Sequence, residues 1–315
     1  MSTVSDARLA ALRACWHPVA YGVDVTAAPR ATTLLDEPLA LWRDARGAAH
    51  AFRDACVHRG TALSLGRVEG DEIVCAYHGW RYRADGACTA IPQLAEPTRV
   101  PARARAVAYS TVERYGIIWV ALEAPRWPLP DVPELEAGAW RTVRTGPFAW
   151  ACDASRQVEN FTDFGHFAFV HPGLLGDPDH AVVAPYEVST DGHVVRYAYG
   201  RPDAPNTEAF PVHLPYTIVE HIDWAGADGL VYFFASQPGA ADACIGYCLV
   251  ARNYNLEQPD EVIQAFERTI FAQDQRVVES QRPERVPFDL ADELHLTFDA
   301  VAVAYRRAMR AHGFA

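Results

Sequence analysis

Four potential metal ligands lie in two short segments near the N-terminus. The first segment reads C-V-H at residues 56–58, and after 16 further residues the second reads C-A-Y-H at residues 75–78. Each pair follows a run of residues typical of a β-strand, so both pairs are expected on loops at the same end of a small sheet. The pattern C-x-H-x16-C-x2-H therefore predicts a β-rich domain whose loops meet at one metal centre.

Two thiolates and two imidazoles suit two kinds of centre. One is a tetrahedral zinc site, and the other is a [2Fe–2S] cluster with two Cys on one iron and two His on the other. Zinc fingers usually pair Cys with Cys and His with His along the chain. Here each loop supplies one of each and can reach both irons, and Gly79 permits a close approach of the backbone. The spacing favours the cluster, with zinc and a chance coincidence of two hairpin pairs as the alternatives.

The aromatic stretch ENFTDFGHFAFVHPG carries polar residues that need partners. Its phenylalanines are expected to be buried, and a buried Asp or His requires a hydrogen bond, an ion pair or a metal. We predict a helix over residues 153–171, which places Asn160, Asp163 and His166 at successive i+3 positions. His171 falls about 20° from Asn160 on that helix. Each residue alone is more often a hydrogen-bonded core group or a cap, but together they indicate a shared partner.

His166 and His171 are candidates for one metal ion. They lie about 140° apart on an ideal helix, so they converge only if the helix loosens or ends between them, and Pro172 favours such an ending. A single metal needs at least one more protein ligand. A long helix predicted over residues 259–281 supplies Asp274 on its apolar stripe. Two His and one carboxylate with open positions form the facial triad of non-haem Fe(II) oxygenases.

The composition of the chain limits which kinds of partner and which cellular location are expected. The 315 residues carry a formal charge of −12 without a long Arg/Lys run, so nucleic acid and anionic membranes are poor candidates. No window approaches the length of about 18 apolar residues that a membrane span needs, and the N-terminus lacks the apolar core of a signal peptide. Seven widely spaced Cys suit free or metal-bound thiols better than a disulfide framework. We therefore expect a cytoplasmic protein that binds neither membranes nor nucleic acid.

The chain divides into a β-rich N-terminal part and a helix–sheet–helix part, which together predict an α+β architecture. Short β-like runs fill residues 15–123, and four prolines in residues 124–138 suit a connection. Strand-like runs return over residues 192–255 and are followed by the long helix. A last helix near residues 298–312 ends at Gly313, which suits its C′ position. The expected divisions are an N-terminal cluster domain at 1–125, a connection at 126–139 and a catalytic domain at 140–315.

On these residues the chain resembles the α (oxygenase) subunit of the Rieske non-haem iron oxygenases. C-x-H-x16-C-x2-H followed by G-W is similar to that family's Rieske domain, and its loops lack the extra Cys that form a disulfide in respiratory-chain Rieske proteins. D-x2-H-x4-H with a later Asp is similar to the family's catalytic domain. The similarity runs from CWHPVA to QDQRVVESQRPERVP. The compact size and VESQRPE resemble the vanillate O-demethylase-like monooxygenases most.

The resemblance implies ligand sets and a catalytic fold. Two Cys would hold one iron of the cluster and two His the other: Cys56, Cys75, His58 and His78. His166, His171 and Asp274 would hold the mononuclear iron. Asp163 would contact a Rieske histidine of the neighbouring subunit in a head-to-tail homotrimer, and Asn160 would lie near the iron or merely brace the helix. A helix-grip (START-like) domain, with an antiparallel sheet and long C-terminal helices, would enclose the substrate.

Together these features predict an O2-dependent monooxygenase that hydroxylates or oxidatively demethylates a small aromatic or polycyclic substrate. The chain has neither a second iron–sulfur Cys group nor a G-x-G-x-x-G segment. Its electrons would therefore come from a separate NAD(P)H-dependent flavin/iron–sulfur reductase or a ferredoxin. A cis-dihydroxylating dioxygenase is the alternative reaction. A pure electron carrier and a binding module that has kept only the cavity are alternatives of other classes.

Overall fold

The β-like runs of the N-terminal part form antiparallel strands in the computed structural model of the protein. The structure describes residues 6–95, 100–199, 206–224, 228–239 and 242–315. Residues Arg13–Pro128 make up one compact unit. Its strands are β1 (His17–Tyr21), β2 (Arg30–Leu34), β3 (Glu37–Arg43), β4 (Ala49–Arg53), β5 (Arg67–Glu69), β6 (Glu72–Val74), β7 (Arg81–Arg83), β8 (Cys88–Ala90), β9 (Ala108–Arg114) and β10 (Ile117–Ala121).

The strands of this unit position the two Cys/His loops. One antiparallel sheet has the order β1-β10-β9-β4-β3-β2, and another has the order β5-β6-β7-β8. The first loop follows β4, and the second joins β6 to β7. Phe52, Cys56, Ile73, Cys75 and Tyr82 belong to one buried cluster. Each large apolar side chain buried there stabilises the fold by about 1.5–3 kcal/mol, so this core holds the two loops against each other.

The second unit consists of the described residues up to Leu12 together with Leu129–Ala315. Its strands are β11 (Arg141–Arg144), β12 (Phe148–Trp150), β13 (Val188–Asp191), β14 (Val194–Tyr199), β15 (Asn206–His213), β16 (Thr217–Trp224), β17 (Gly229–Pro238) and β18 (Cys244–Arg252). The α-helices are α1 (Asp6–Arg13), α2 (Ala154–Phe161), α3 (Phe167–Val170), α4 (Asp260–Val278) and α5 (Ala300–Ala311). Short 3-10 turns lie at Gly22–Asp24 and Leu63–Leu65 in the first unit, and at Pro133–Leu135, Pro178–His180, Leu290–Asp292 and Thr297–Asp299 in the second.

A single antiparallel sheet forms the body of this second unit. Its order is β11-β18-β17-β16-β15-β14-β13, and β12 also pairs with β18. Helices α2 and α4 pack against one face: the Phe161 ring stacks on Phe234 at 4.9 Å, and the Phe271 ring stacks on Phe148 at 3.9 Å. The predicted α+β architecture, with an antiparallel sheet and C-terminal helices, is confirmed.

The long helix predicted over residues 259–281 and the last helix are both present. Helix α4 spans Asp260–Val278, and Pro259 precedes it at the N-cap, where a missing N–H costs nothing. Helix α5 is followed by His312 and then by Gly313 at a φ of +82°, the left-handed conformation predicted for C′. None of the helices among the described residues is long and apolar enough to cross a membrane.

The single helix predicted over residues 153–171 is wrong. Helix α2 ends at Phe161, and α3 begins only at Phe167. Between them, Asp163 Oδ1 accepts a hydrogen bond from the Gly165 N–H at 2.8 Å. A short side chain that accepts a hydrogen bond from the backbone two residues later stabilises a turn in place of a continued helix. The helix prediction considers only the positions of residues around a helix axis, so it does not account for this hydrogen bond.

Candidate metal centres

The two Cys/His loops of the N-terminal unit have matching backbone turns. The Cys56 carbonyl accepts a hydrogen bond from the Gly60 N–H at 2.8 Å, and the Cys75 carbonyl accepts one from the Gly79 N–H at 3.0 Å. Both glycines have a φ of 71°, a conformation that costs glycine little and other residues considerably more. The turns therefore have the same shape although the Cys–His spacing differs by one residue.

These turns separate the thiols from the imidazoles. The side chains of Cys56 and Cys75 are buried, whereas His58 is exposed and His78 is half-buried. The rings of His58 and His78 lie 4.7 Å apart, and the Trp80 ring stacks flat on His58 at 4.6 Å. The loops thus place two thiols inside the unit and two imidazoles at its surface.

The donor set fits a two-iron cluster better than a single zinc ion. A single zinc ion needs ligand atoms that converge on one point. Within the described part of the chain, the group whose ligand atoms lie within 4.8 Å of one another is in the other unit and does not include the Cys and His of these loops. Burial raises the pKa of the Cys56 thiol, and the neighbouring Cys75 raises it further, while Tyr82 Oη at 3.0 Å from Cys56 Sγ opposes the rise. Metal binding removes the proton from such thiols, and the tyrosine can then donate to the thiolate.

The second centre brings His166, His171 and Asp274 together in the C-terminal unit. Their ligand atoms lie within 4.8 Å of one another. Both Nε2 atoms face the same carboxylate oxygen, Asp274 Oδ1, at 3.3 Å from His166 and 3.0 Å from His171. His166 and His171 lie at the two ends of the short helix α3, and His171 leaves the helical conformation with a φ of −120° and a ψ of 47°. The helix thus ends before His171, as the sequence predicts, and the two imidazoles can converge. Two imidazoles and one carboxylate around an open side suit Fe(II).

The other ring nitrogens have acceptors as partners. His171 Nδ1 lies 2.8 Å from Gln273 Oε1, and His166 Nδ1 lies 3.2 Å from Asp163 Oδ2. With a metal bound at Nε2, each Nδ1 would carry the proton and donate it to its acceptor. Histidine ligands of metal sites are held by outer hydrogen bonds of this kind.

His171 gives the most direct test of the fit to a metal. Its ring is fully buried, and its Nε2 forms no hydrogen bond of acceptable geometry with the described residues, although Asp274 is close. Leaving a buried polar atom unsatisfied costs about 1–3 kcal/mol, which a metal bond at Nε2 would remove. Although burial lowers it, Asp163 and Asp274 raise the pKa of His166 to about 9. Surroundings this negative also favour a divalent cation.

Asn160 and Asp163 lie beside this group without joining it. Asn160 Nδ2 donates to Asp274 Oδ1 at 3.3 Å. Asp163 contacts His166 through one oxygen and the Gly165 N–H through the other, and its side chain is still 41% exposed. Asn160 therefore orients the carboxylate of Asp274, whereas Asp163 orients His166 and remains accessible from outside.

A cavity of about 280 Å³ opens directly beside the three converging residues. This volume lies near the lower end of the range for small-molecule sites, about 300–1,000 Å³, so the ligand that it suits is small. Most of its wall is aromatic or aliphatic: Phe161, Phe164, Phe167, Leu175, Phe210, Ile222, Leu230, Phe266, Ile270 and Phe271. A second, more polar cavity of about 390 Å³ is lined by Asp163 and also by His166.

Three side chains at the site are not singled out by the sequence: Gln273, Glu220 and Glu267. Gln273 has no distinguishing signal, because it is one of several polar residues on α4. Glu220 lies at the same strand face as Ile218 and Ile222, since alternate residues of a strand share a face. Glu267 lies seven residues before Asp274 on the apolar stripe of α4. A charged residue on an apolar face was the available signal for both glutamates.

Two protein-family models match the chain. The Rieske [2Fe–2S] domain matches residues 15–113, and the vanillate O-demethylase oxygenase C-terminal domain matches residues 150–313. The first match contains all four Cys and His of the paired loops. The second contains His166, His171 and Asp274.

Several known proteins are similar over most of their length. Methylxanthine N1-demethylase NdmA of Pseudomonas putida is 33% identical over 95% of this chain and 88% of its own. Methylxanthine N3-demethylase NdmB of the same organism is 32% identical over 94% of this chain and 88% of its own. The solved structure of Pseudomonas putida CBB5 NdmA with caffeine has a TM-score of 0.89 at 31% identity, covering 97% of this chain and 92% of that one. Dicamba monooxygenase bound to dicamba shares the fold, with a TM-score of 0.84 at 23% identity over 96% of this chain and 97% of that one.

Proposed function

The chain belongs to the Rieske non-haem iron oxygenases, and we propose that its reaction is the oxidative demethylation of a small aromatic substrate. It is an oxidoreductase with a Rieske [2Fe–2S] cluster and a mononuclear iron, and O2 is its co-substrate. The observation that carries the reaction is the convergence of His166, His171 and Asp274 at the end of an aromatic cavity. The relatives NdmA and NdmB are named as demethylases. Their names favour demethylation over simple hydroxylation and over cis-dihydroxylation.

Each cofactor has its own set of proposed ligands. The cluster would be held by Cys56, His58, Cys75 and His78. The mononuclear iron would be held by His166, His171 and Asp274. When bound there, Fe(II) keeps coordination positions open for O2 chemistry, and the cluster passes on electrons one at a time. Gln273 and Asp163 hold the two imidazoles in the tautomer that presents Nε2, and the aromatic wall orients the substrate and excludes water.

The reaction needs electrons from outside the chain. Oxidative demethylation consumes one O2, two electrons and two protons: one oxygen atom enters the methyl group, and the other leaves as water. The resulting hydroxymethyl group then departs as formaldehyde. As a Rieske oxygenase α subunit, the chain works with a reductase or a ferredoxin. We propose an NAD(P)H-dependent flavin/iron–sulfur reductase as the source of the electrons.

Removal of the iron ligands tests this function. With a surrogate reductase, the protein is expected to release formaldehyde from members of a panel of N- and O-methylated arenes. His171→Ala and Asp274→Ala should lose the mononuclear iron and the formaldehyde release, while the visible spectrum of the cluster persists. His180→Ala is the matched control, because His180 is an exposed histidine outside the site.

Two results would contradict the proposal. Full iron occupancy in both variants, measured by elemental analysis, would contradict the ligand assignment. Two labelled oxygen atoms in the product formed under ¹⁸O2 would identify a dihydroxylation instead of a demethylation.

We also propose a homotrimer in which Asp163 contacts a Rieske histidine, His58 or His78, of the neighbouring subunit. This proposal is supported by the partial exposure of Asp163, which lines the polar cavity together with His166. The division of the chain at residues 1–125, 126–139 and 140–315 and a cytoplasmic location are further proposals. They rest on the proline-rich segment and on the cysteine content of the sequence.

A further inference from the structure

The cavity beside His166, His171 and Asp274 has an acidic wall. Two of its members, Glu208 and Glu220, come from the neighbouring strands β15 and β16, and the third, Glu267, comes from α4. Glu220 pairs with Tyr232 in the sheet, and Glu208 pairs with Ile222. Because alternate strand residues share a face, these side chains point to the cavity side of the sheet. No Arg or Lys lines the cavity among the residues that the structure describes.

Glu220 and Glu267 have unused hydrogen-bonding capacity. The Glu267 side chain belongs to a residue only 4% exposed, and one of its oxygens accepts from Tyr232 Oη at 3.1 Å. Its other oxygen accepts no hydrogen bond from the described residues. The Glu220 carboxyl likewise has no hydrogen-bond partner within the described part of the chain. Glu220 is half-buried, and both glutamates line the cavity, so their oxygens without donors open onto space that a ligand can fill.

No Arg or Lys side chain of the described lining balances the acidic wall, so its charge is lowered by protons that the carboxyls retain. Burial raises the pKa of Glu220 well above its usual value, and the charges of Glu208 and Glu267 raise it further. Burial also raises the pKa of Glu267 to about 7; Tyr232 lowers it, and Asp274 raises it. The other titratable groups around Glu220 are Tyr197, Tyr232 and Cys248, and none of them is a cation at neutral pH. A bound cation would stabilise the ionised carboxyls in place of these protons.

We propose that the cavity selects small aromatic substrates that carry a cationic, N-methylated amine, with Glu220 and Glu267 as the residues that bind the ammonium group. The inference rests on the proposed demethylation and adds the substrate class. Phe161, Phe210 and Phe271 also line the cavity, and an aromatic ring attracts a cation that reaches its face. Because the cavity is small, an amine held by the two glutamates keeps its methyl groups close to His166, His171 and Asp274.

The same wall discriminates against anions. A substrate carboxylate would meet the three glutamates and no Arg or Lys in the described lining, where the basic groups are the proposed iron ligands His166 and His171. This costs affinity. A neutral heteroaromatic substrate is the competing possibility, because a protonated Glu220 could donate to its carbonyl. Binding of a cationic ligand and binding of a neutral ligand differ in the number of protons released. A cation displaces the proton from Glu220 and releases it to the buffer, whereas a neutral ligand leaves that proton in place.

Calorimetry on the intact holoprotein tests the substrate class. The probes are N,N-dimethylbenzylamine, its uncharged isostere isobutylbenzene, the anion 4-methoxybenzoate and the neutral caffeine. Titrations at pH 7.5 in buffers of different ionisation enthalpy give both affinity and proton release. We expect the amine to bind about 10- to 100-fold more tightly than the other three probes, the range for hydrogen bonds to charged groups, and to release about one proton per binding event.

Variants distinguish the contribution of the two glutamates to binding from general effects of a substitution on the fold. Glu220→Gln and Glu267→Gln should each weaken binding of the amine about 10- to 100-fold and leave isobutylbenzene unchanged. Glu257→Gln, at an exposed glutamate outside the cavity, is the matched control and should bind the amine as the parent does. An unchanged visible spectrum of the cluster in each variant verifies that the protein is intact.

The outcomes separate this inference from the proposed function. Equal binding of a neutral or anionic probe, binding of the amine without proton release, or no response to Glu220→Gln and Glu267→Gln would overturn the inference. Demethylation of 4-methoxybenzoate without binding of the amine would overturn it and leave the demethylase function intact. Tight, glutamate-dependent binding of the amine without formaldehyde from any methylated arene would support the inference and contradict the function.

Discussion

Gln273 and Gln275 flank Asp274 on α4 and face different surroundings. Gln273 accepts from the His171 Nδ1–H at 2.8 Å, whereas Gln275 Nε2 donates to the Ala149 carbonyl at 3.1 Å and to Glu279 Oε1 at 2.8 Å. Replacing the outer partner of a histidine ligand typically lowers metal affinity about 10- to 100-fold. Gln273→Leu should therefore lose mononuclear iron during dialysis against a ferrous chelator while the spectrum of the cluster persists.

The neighbouring glutamine on α4, Gln275, provides the control for the loss of iron from Gln273→Leu. Gln275→Leu removes the same side chain from the same helix without touching an imidazole, so it should retain its iron. Equal retention of iron in both variants would show that the contact to Gln273 does not orient His171. The sequence could not predict the difference between the two glutamines, because it depends on which side of α4 meets α3.

At the scale of elements, the packing of α4 on the sheet positions Asp274. Phe271, one turn before Asp274, is 4% exposed and stacks on Phe148 with an interplanar angle of 3°, whereas Phe266 of the same helix is 37% exposed. Removing a buried Phe side chain from a core typically costs about 3–5 kcal/mol. Phe271→Ala should lower the free energy of unfolding of the holoprotein by that amount in urea denaturation followed by circular dichroism.

Phe266→Ala should cost clearly less, because much of that ring already contacts solvent. A similar loss in both variants would mean that the stacked rings do not hold α4 in place. The existence of this helix was predictable from its apolar stripe, and its bounds differed from the prediction by a few residues. The break between α2 and α3 was not predictable, since it depends on the hydrogen bond between Asp163 and Gly165 and on the packing of the Phe side chains around it.

At the scale of the whole molecule, Asp163 links the catalytic centre to the proposed homotrimer. Its carboxylate holds His166 Nδ1 and remains accessible. If electrons reach the iron from the cluster of a neighbouring subunit, Asp163→Asn should keep both metal centres and lose most of the turnover. Metal content, the visible spectrum and the rate of product formation measure the three parts of this prediction. Asp177→Asn, at an exposed aspartate that also contacts a histidine, is the control.

Mixed oligomers test the direction of electron transfer independently. Asp274→Ala subunits should keep the cluster without the mononuclear iron, and Cys75→Ser subunits should keep the iron without the cluster. Neither variant alone should turn over, but oligomers assembled from both should recover part of the activity, because one subunit supplies the cluster and its neighbour the iron. Inactive mixed oligomers, or near-normal turnover of Asp163→Asn, would contradict transfer between subunits through this residue.

The sequence by itself determined the family, the α+β class and the candidate metal ligands. Cys56 and His58, or His166 and His171, are close in the chain, so their spacing alone restricts the chemistry that they can share. The family-model matches confirm this part of the prediction. They do not test the role of each ligand, which stays a prediction.

Only the tertiary structure decided what surrounds those ligands. The choice of Gln273 as the partner of His171, the turn at Asp163 and the acidic wall of the cavity each depend on strand register, on the rotation of α4 and on burial. These are set by contacts between residues far apart in the chain, and a one-residue change of register would turn Glu220 to the other face of the sheet. Local spacing therefore determined which chemistry is available, and long-range packing determined which side chains surround it.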